Sequence, residues 1–120
     1  MIPLNELEVY KVALEIGDIT WEIVDKWTFF VKDTLGKQFV KAADSIAFNV
    51  AEGYGRFYYK ENKLFCYFSR GSAKETATAV YKARKRNLIS QEEANYFEKK
   101  LIHYFVLMAG YIKSIGKSTD

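Results

Sequence analysis

Apolar residues recur at alternating steps of four and three in separate stretches of this 120-residue chain, and that rhythm admits little besides long helices packed side by side. The first stretch carries Val9, Ala13, Ile16, Thr20, Ile23 and Trp27, and the second Phe39, Ala43, Ile46 and Val50. The third is read from about Lys60 to Leu88 with Leu64, Phe68, Thr76, Ala79, Val80 and Ala83 facing inward. The fourth places Ala94, Phe97, Leu101, Tyr104, Met108, Tyr111 and Ile115 on one seam, widened by Phe105, Val106 and Ile112. Pro3 is the sole proline, so nothing further along forces a helix to break. Four helices joined by short connections predict an all-α, up-down-up-down antiparallel four-helix bundle, a single domain over residues 1–120.

Local signals set the expected boundaries. Asn5 is a candidate N-cap, with Glu6 and Glu8 where a helix N-terminus favours negative charge. Gly17 either weakens the first helix or marks a close crossing. Asp33 or Thr34 is expected to cap the second helix. That helix carries the segment KAADSIAFNVAEGYGR, residues 41–56, the most apolar and small-residue-rich part of the chain, and is expected to stop near Gly53 and Gly55 in a special turn. Residues 54–59 read as an aromatic loop. Asn87 is a C-terminal signal, and Ser90 with Glu93 forms a capping box ahead of the fourth helix. Gly116 should end that helix and residues 117–120 should fray.

Charge is segregated along the chain. In residues 1–33, Glu6, Glu8, Glu15, Asp18, Glu22, Asp25 and Asp33 outnumber Lys11, Lys26 and Lys32. In residues 60–90, Lys60, Lys63, Arg70, Lys74, Lys82, Arg84, Lys85 and Arg86 face only Glu61 and Glu75. Such a pattern suits a polyanion, or a head-to-tail contact between acidic and basic faces of neighbouring subunits. Cys66 is the single cysteine, which excludes an intramolecular disulfide scaffold and points to a reducing, cytoplasmic home. No run approaches the roughly 18 apolar residues that span a bilayer, and no export signal opens the chain, so no membrane association is expected.

Catalytic patterns fail on spacing. A di-iron bundle needs Glu three residues before each of two histidines, whereas His103 is alone and Lys100 precedes it at that spacing. No metal, cofactor or small-molecule substrate is expected, and Cys66 and His103 read as structural. The run Gly110 to Ser118 has one residue too many for a phosphate-binding loop and follows a helix. Ser114 and Lys117 match a serine–lysine spacing without its supporting elements. Only Asn49, Glu52, Arg56, Arg70 and Glu75 offer converging polar groups. The first three lie at steps of three and four, and the last two approach from the third helix, so an Arg–Glu network at the bundle end is expected to fix turn and register.

The binding candidates are Lys63, Lys74, Lys82, Arg84, Lys85 and Arg86, able to neutralise phosphates of structured RNA or DNA, with Phe57, Tyr58 and Tyr59 able to stack on bases. The alternative is an oligomeric adaptor for another protein, because nine tyrosines and nine phenylalanines exceed what a small core hides.

The residues Ala43, Ser45, Ile46, Asn49, Ala51-Glu52-Gly53, Gly55-Arg56, Arg70-Gly71-Ser72 and Glu75 resemble the signature of the bacterial four-helix-bundle family encoded by intervening sequences of 23S ribosomal RNA genes. The resemblance runs from Leu7-Glu8-Val9-Tyr10 through the fourth helix. The accessory variability protein of diversity-generating retroelements is a relative of that family. The resemblance implies a ring-like homopentamer with a basic surface able to contact nucleic acid, and implies no enzymatic activity. The chain departs from the family pattern where Phe29-Phe30-Val31-Lys32-Asp33 replaces a proline-containing turn and where Lys41 stands without a second basic residue.

Overall fold

The computed structural model describes residues 2–116. A 3-10 turn, Leu4–Glu6, leads into α1 (Glu8–Val24). A short α2 (Phe29–Val31) passes through a π-helical turn, Lys32–Gly36, into α3 (Lys37–Tyr54) without leaving helical geometry. α4 (Tyr59–Lys85) and α5 (Gln91–Ser114) complete the set, and no strand occurs among the described residues.

Each long helix packs on its chain neighbour, and α5 returns to α1, so the helices form a closed square. Paired positions show that every neighbour is antiparallel. Gly17 lies against Asp44 and Gly36 against Val24 between α1 and the α2–α3 rod. Gly53 meets Asn62, and Ser69 reaches Ile46, between α3 and α4. Tyr104 meets Ser69, and Lys100 pairs with Glu15 at 3.1 Å, closing α5 onto α4 and onto α1. The result is an antiparallel four-helix bundle, 53 × 23 × 20 Å.

The seams predicted for α1, α3 and α5 are the buried ones: Val9, Ala13, Ile16, Thr20 and Ile23; Phe39, Ala43, Ile46 and Val50; Phe97, Leu101, Tyr104, Met108 and Ile115. Ala94, Tyr111, Phe105 and Ile112 pack at the margin, while Val106 is exposed. At one end Trp27, Phe39 and Phe97 stack with ring centroids 6.1 and 5.4 Å apart, and Trp27 Nε1–H donates to the Leu88 carbonyl at 3.1 Å. That single bond ties the α1–α2 connection to the α4–α5 connection across the sequence.

α4 departs from expectation. Thr76, Ala79, Val80 and Ala83 are buried, but Leu64 and Phe68 stay 47% and 49% exposed, and Cys66, Ser69 and Ala73 take the inward positions. The reason is volume. Tyr104 and Met108 of α5 already fill the space opposite, leaving room only for small side chains.

Three boundaries also shift. α1 starts at Glu8 behind Leu7, with Asn5 inside the 3-10 turn, so Asn5 caps nothing. The second rod starts at Phe29 behind extended Thr28; Asp33 and Thr34 lie within the π turn, where Asp33 pairs with Lys37 at 3.1 Å and Thr34 donates back to the Phe30 carbonyl. Gly36 is required there, since an added Cβ would sit 2.8 Å from Val24. Gly55 closes α3 in ordinary right-handed geometry at φ −81°, so no special turn forms.

The α4–α5 connection follows its signals closely. Asn87 adopts φ 59°, its N–H donates to Arg84, and Leu88 N–H donates to Ala83, a six-to-one and five-to-two pairing that closes the helix end. Glu93 N–H donates to Ser90 Oγ at 3.0 Å while Ser90 N–H donates to the Glu93 carboxylate at 2.8 Å. α5 ends at Ser114, with Gly116 at φ 82° just beyond; the expected fraying of residues 117–120, with the Lys117 and Ser118 parts of the rejected motifs, lies outside the described residues.

Candidate nucleic-acid interface

The six basic candidates do not form one patch. Arg84 is half-buried and donates to Gln91 Oε1 at 3.2 Å, which turns it into the groove between α4 and α5. Lys82 and Arg86 stand one turn apart on another flank of α4, both exposed. Lys63, Lys74 and Lys85 belong to a different row, which Arg70 and two tyrosines join.

That row is Lys63, Tyr67, Arg70, Lys74, Thr78, Tyr81 and Lys85, at steps of four, three, four, four, three and four. At about 1.5 Å per residue it runs for about 33 Å along one side of α4. All but Lys63, which is half-buried, are exposed, and no acidic residue interrupts them. Cations and rings interlock within the row. The Arg70 guanidinium lies 5.0 Å from the Tyr67 ring centre, Lys85 Nζ 6.0 Å from that of Tyr81, and Lys74 Nζ 4.5 Å from that of Phe105 on α5. Among the described residues none of the four cations has an ion-pair partner, so their charge faces solvent.

Sequence reasoning missed Tyr67 and Tyr81 and placed Arg70 elsewhere. The same four-three count that located the buried seams also threads these residues. Grouping the bases by stretch of chain, rather than by position around α4, hid the row.

The expected Arg–Glu network divides into unconnected parts. Arg56 bonds Glu52 at 2.8 Å, approaches Glu61 at 3.9 Å and lies over the Phe65 ring at 4.6 Å. Asn49 donates only to the Ser45 carbonyl one turn back. Arg70 joins the stripe instead, and Glu75 is exposed on α4 without an ion pair among the described residues. The physical cause is distance along the rod: Arg56 sits at the α3–α4 turn, whereas Arg70 and Glu75 lie near the middle of α4. Gly53 has a packing role, since an added Cβ would meet the Asn62 backbone oxygen and Phe65 Cβ at 2.9 Å each. Ser72 is half-buried, its carbonyl accepting from the Thr76 hydroxyl. Gly71 has open space around it. Phe57 and Tyr58 are exposed in the loop and meet edge to face at 4.9 Å, while Tyr59 opens α4 and packs against Gly116.

Two buried groups carry shifted acidities. Burial pushes the Cys66 thiol up to about 11, and it has only a long contact, 3.8 Å, to Asn62 Oδ1. Tyr104 is also pushed upward by burial, opposed by its hydrogen bond to Ser69; its hydroxyl donates to Ser69 Oγ, which in turn donates to the Ile46 carbonyl at 2.8 Å. Asp44 is raised by burial and then by neighbouring Asp18, in a groove between α1 and α3 that Leu14 and Phe48 also line. His103 is exposed on α5. Among the described residues no three His, Cys, Asp or Glu side chains cluster as metal ligands, and no helix is long and apolar enough to cross a membrane.

The same architecture occurs in the crystal structure, at 1.70 Å resolution, of a protein of unknown function from the S23 ribosomal protein family of Bacteroides thetaiotaomicron VPI-5482. It aligns with a TM-score of 0.78 and 17% identity over 88% of this chain and 96% of that one, a likeness of fold. No curated protein matches the sequence. The family model described as 23S rRNA-intervening sequence protein matches residues 5–110, which takes in α1, α3, α4, most of α5 and the whole basic–aromatic stripe, and the chain belongs to that family.

Proposed function

We propose that this chain is a non-enzymatic, self-assembling helical scaffold of the cytoplasm that holds the phosphates of RNA or DNA along the exposed side of α4. The observation that carries the reading is the acid-free row of Lys63, Arg70, Lys74 and Lys85, whose cations pair with no carboxylate among the described residues. Cations spaced about one to three turns apart along a rod suit a linear polyanion better than a point ligand. The polar groups expected to converge are bound locally instead, Glu52 to Arg56 and Asn49 to Ser45, which favours a structural role for them over catalysis.

Self-assembly draws on a separate surface. Leu14 of α1 and Phe48 of α3 are exposed on one groove, Trp21 is exposed two turns further along α1, and Ile102 and Val106 are exposed on α5. Two distinct apolar patches on one chain favour head-to-tail contacts, which close into rings, and the homopentamer implied by the family resemblance is one such ring. The same surface supports the second reading, a protein adaptor in which the patches receive a different chain.

The test is affinity for an RNA hairpin with an unpaired tail across a salt series, with light scattering on the same samples. Arg70, Lys74 and Lys85 changed together to alanine should weaken binding and flatten the logarithmic salt slope by about 0.7–0.9 per lost phosphate contact, with the assembly mass unchanged. No binding by the natural chain at low salt would remove the nucleic-acid reading and leave the adaptor.

A further inference from the structure

The alternation of rings with cations says which form of nucleic acid the α4 stripe fits. Resting on the nucleic-acid reading above, we infer that its ligand is an unpaired strand, with bases stacked on Tyr67 and Tyr81 and phosphates held by Arg70, Lys74 and Lys85.

A duplex turns its base faces inward and presents phosphates, so a duplex reader gains nothing from exposed rings. A single strand presents both, and successive bases stack on aromatic side chains whatever their sequence. Tyr67 and Tyr81 are 46% and 64% exposed, although burying an aromatic ring is the usual gain from having one. Each is braced by a cation one turn further along, Arg70 for Tyr67 and Lys85 for Tyr81, so each ring comes with a phosphate-binding group beside it. The rings are fourteen residues apart, about 21 Å along the helix, the length of about six nucleotides at a stacked rise of about 3.4 Å each. Lys74 and Thr78 occupy the interval between them, exposed, and supply one charge and one hydroxyl there.

Gly71 supports close approach on this side. It is exposed at mid-helix beside the row, and nothing lies within 4 Å of where its Cβ would be, so no contact within the chain explains a residue that weakens a helix. A bare backbone between Tyr67 and Lys74 lets a sugar–phosphate chain lie against α4.

Fluorescence anisotropy with a labelled uridine strand of about ten nucleotides, its deoxyuridine counterpart and a duplex of equal length tests the inference. Either strand should bind about tenfold or more tightly than the duplex, and Tyr67→Ala with Tyr81→Ala should cost the strand about tenfold or more, while Tyr67→Phe with Tyr81→Phe should retain it. Both tyrosines are exposed, so the alanine variant should fold, which its helical circular dichroism checks directly. Equal affinity for strand and duplex, or an alanine variant that binds as the natural chain does, would overturn the inference while the salt-dependent phosphate reading survives. Loss of binding to every probe at low salt would end both. A fall in assembly mass in the alanine variant would also overturn it, by making the stripe a contact between protein chains.

Discussion

α4 and α5 are adjacent, antiparallel and similar in length, yet they sort their side chains in opposite ways. α5 turns Phe97, Leu101, Tyr104 and Met108 into the bundle. α4 turns in Cys66, Ser69, Ala73, Thr76, Ala79, Val80 and Ala83, and leaves Leu64, Tyr67, Phe68 and Tyr81 outside. A core of fixed width takes large residues from one helix only where the facing helix offers small ones. The inversion frees the large side chains of α4 for work outside the bundle, and it coincides with the helix that carries the basic–aromatic row.

If that comparison is right, the greatest loss should come from α5. Tyr104→Ala should cost about 3–5 kcal/mol in denaturant unfolding, because it opens a cavity in a site with no slack and removes the partner of Ser69. A loss under about 1 kcal/mol would mean the α4–α5 seam is loosely filled and the volume argument fails. The reverse change on α4 should also hurt. Ala73→Leu adds bulk where nothing is exposed and should cost about 1–3 kcal/mol.

The same seam predicts a pH dependence. The Cys66 thiol is raised from 9.0 to about 11, so the folded state keeps its proton while the unfolded chain loses it. Stability from this group is therefore fully present below about pH 8.5 and is lost as pH rises towards 11, a decline on the order of 2 kcal/mol. Unfolding midpoints across that range should fall for the natural chain and fall less for Cys66→Ala, whose methyl group suits the small seam. Equal declines in both would place the Cys66 side chain in contact with water.

On the outward side the effects should be small or favourable. Gly71→Ala has open space and a helical backbone and should stabilise by up to about 1 kcal/mol, read as a raised unfolding midpoint. Phe68→Ala should change stability by less than about 0.5 kcal/mol despite removing a whole ring, since that ring is half in water. A large loss there would show that Phe68 supports the fold and that the two helices differ less than their burial suggests.

Much of the fold is legible in the order of residues alone. Four-three spacing locates the buried residues of α1, α3 and α5, because in those helices an unbroken apolar seam at that spacing faces the core, even though Leu14, Trp21, Phe48, Ile102 and Val106 lie outside it. The α4–α5 connection is legible because its signals are local: Ser90 and Glu93 satisfy each other's backbone, and Asn87 tolerates a positive φ. The start of the second rod is not, because Asp33 and Thr34 are good caps in isolation. Their helix simply continues through them as a π turn, stabilised by Gly36 fitting beneath Val24.

The candidate interface is half legible. The excess of bases in residues 60–90 is a property of composition, readable from the order of residues together with the helical class and the helix count. Which side of α4 turns to solvent was decided only when the helix took its orientation in the bundle. Two stripes of α4 carry apolar residues, one small and one large, and side-chain size ranks the large one as the better core. The tertiary structure chose the small stripe, since Tyr104 and Met108 occupy the facing volume, and close packing, unlike transfer from water, depends on shape.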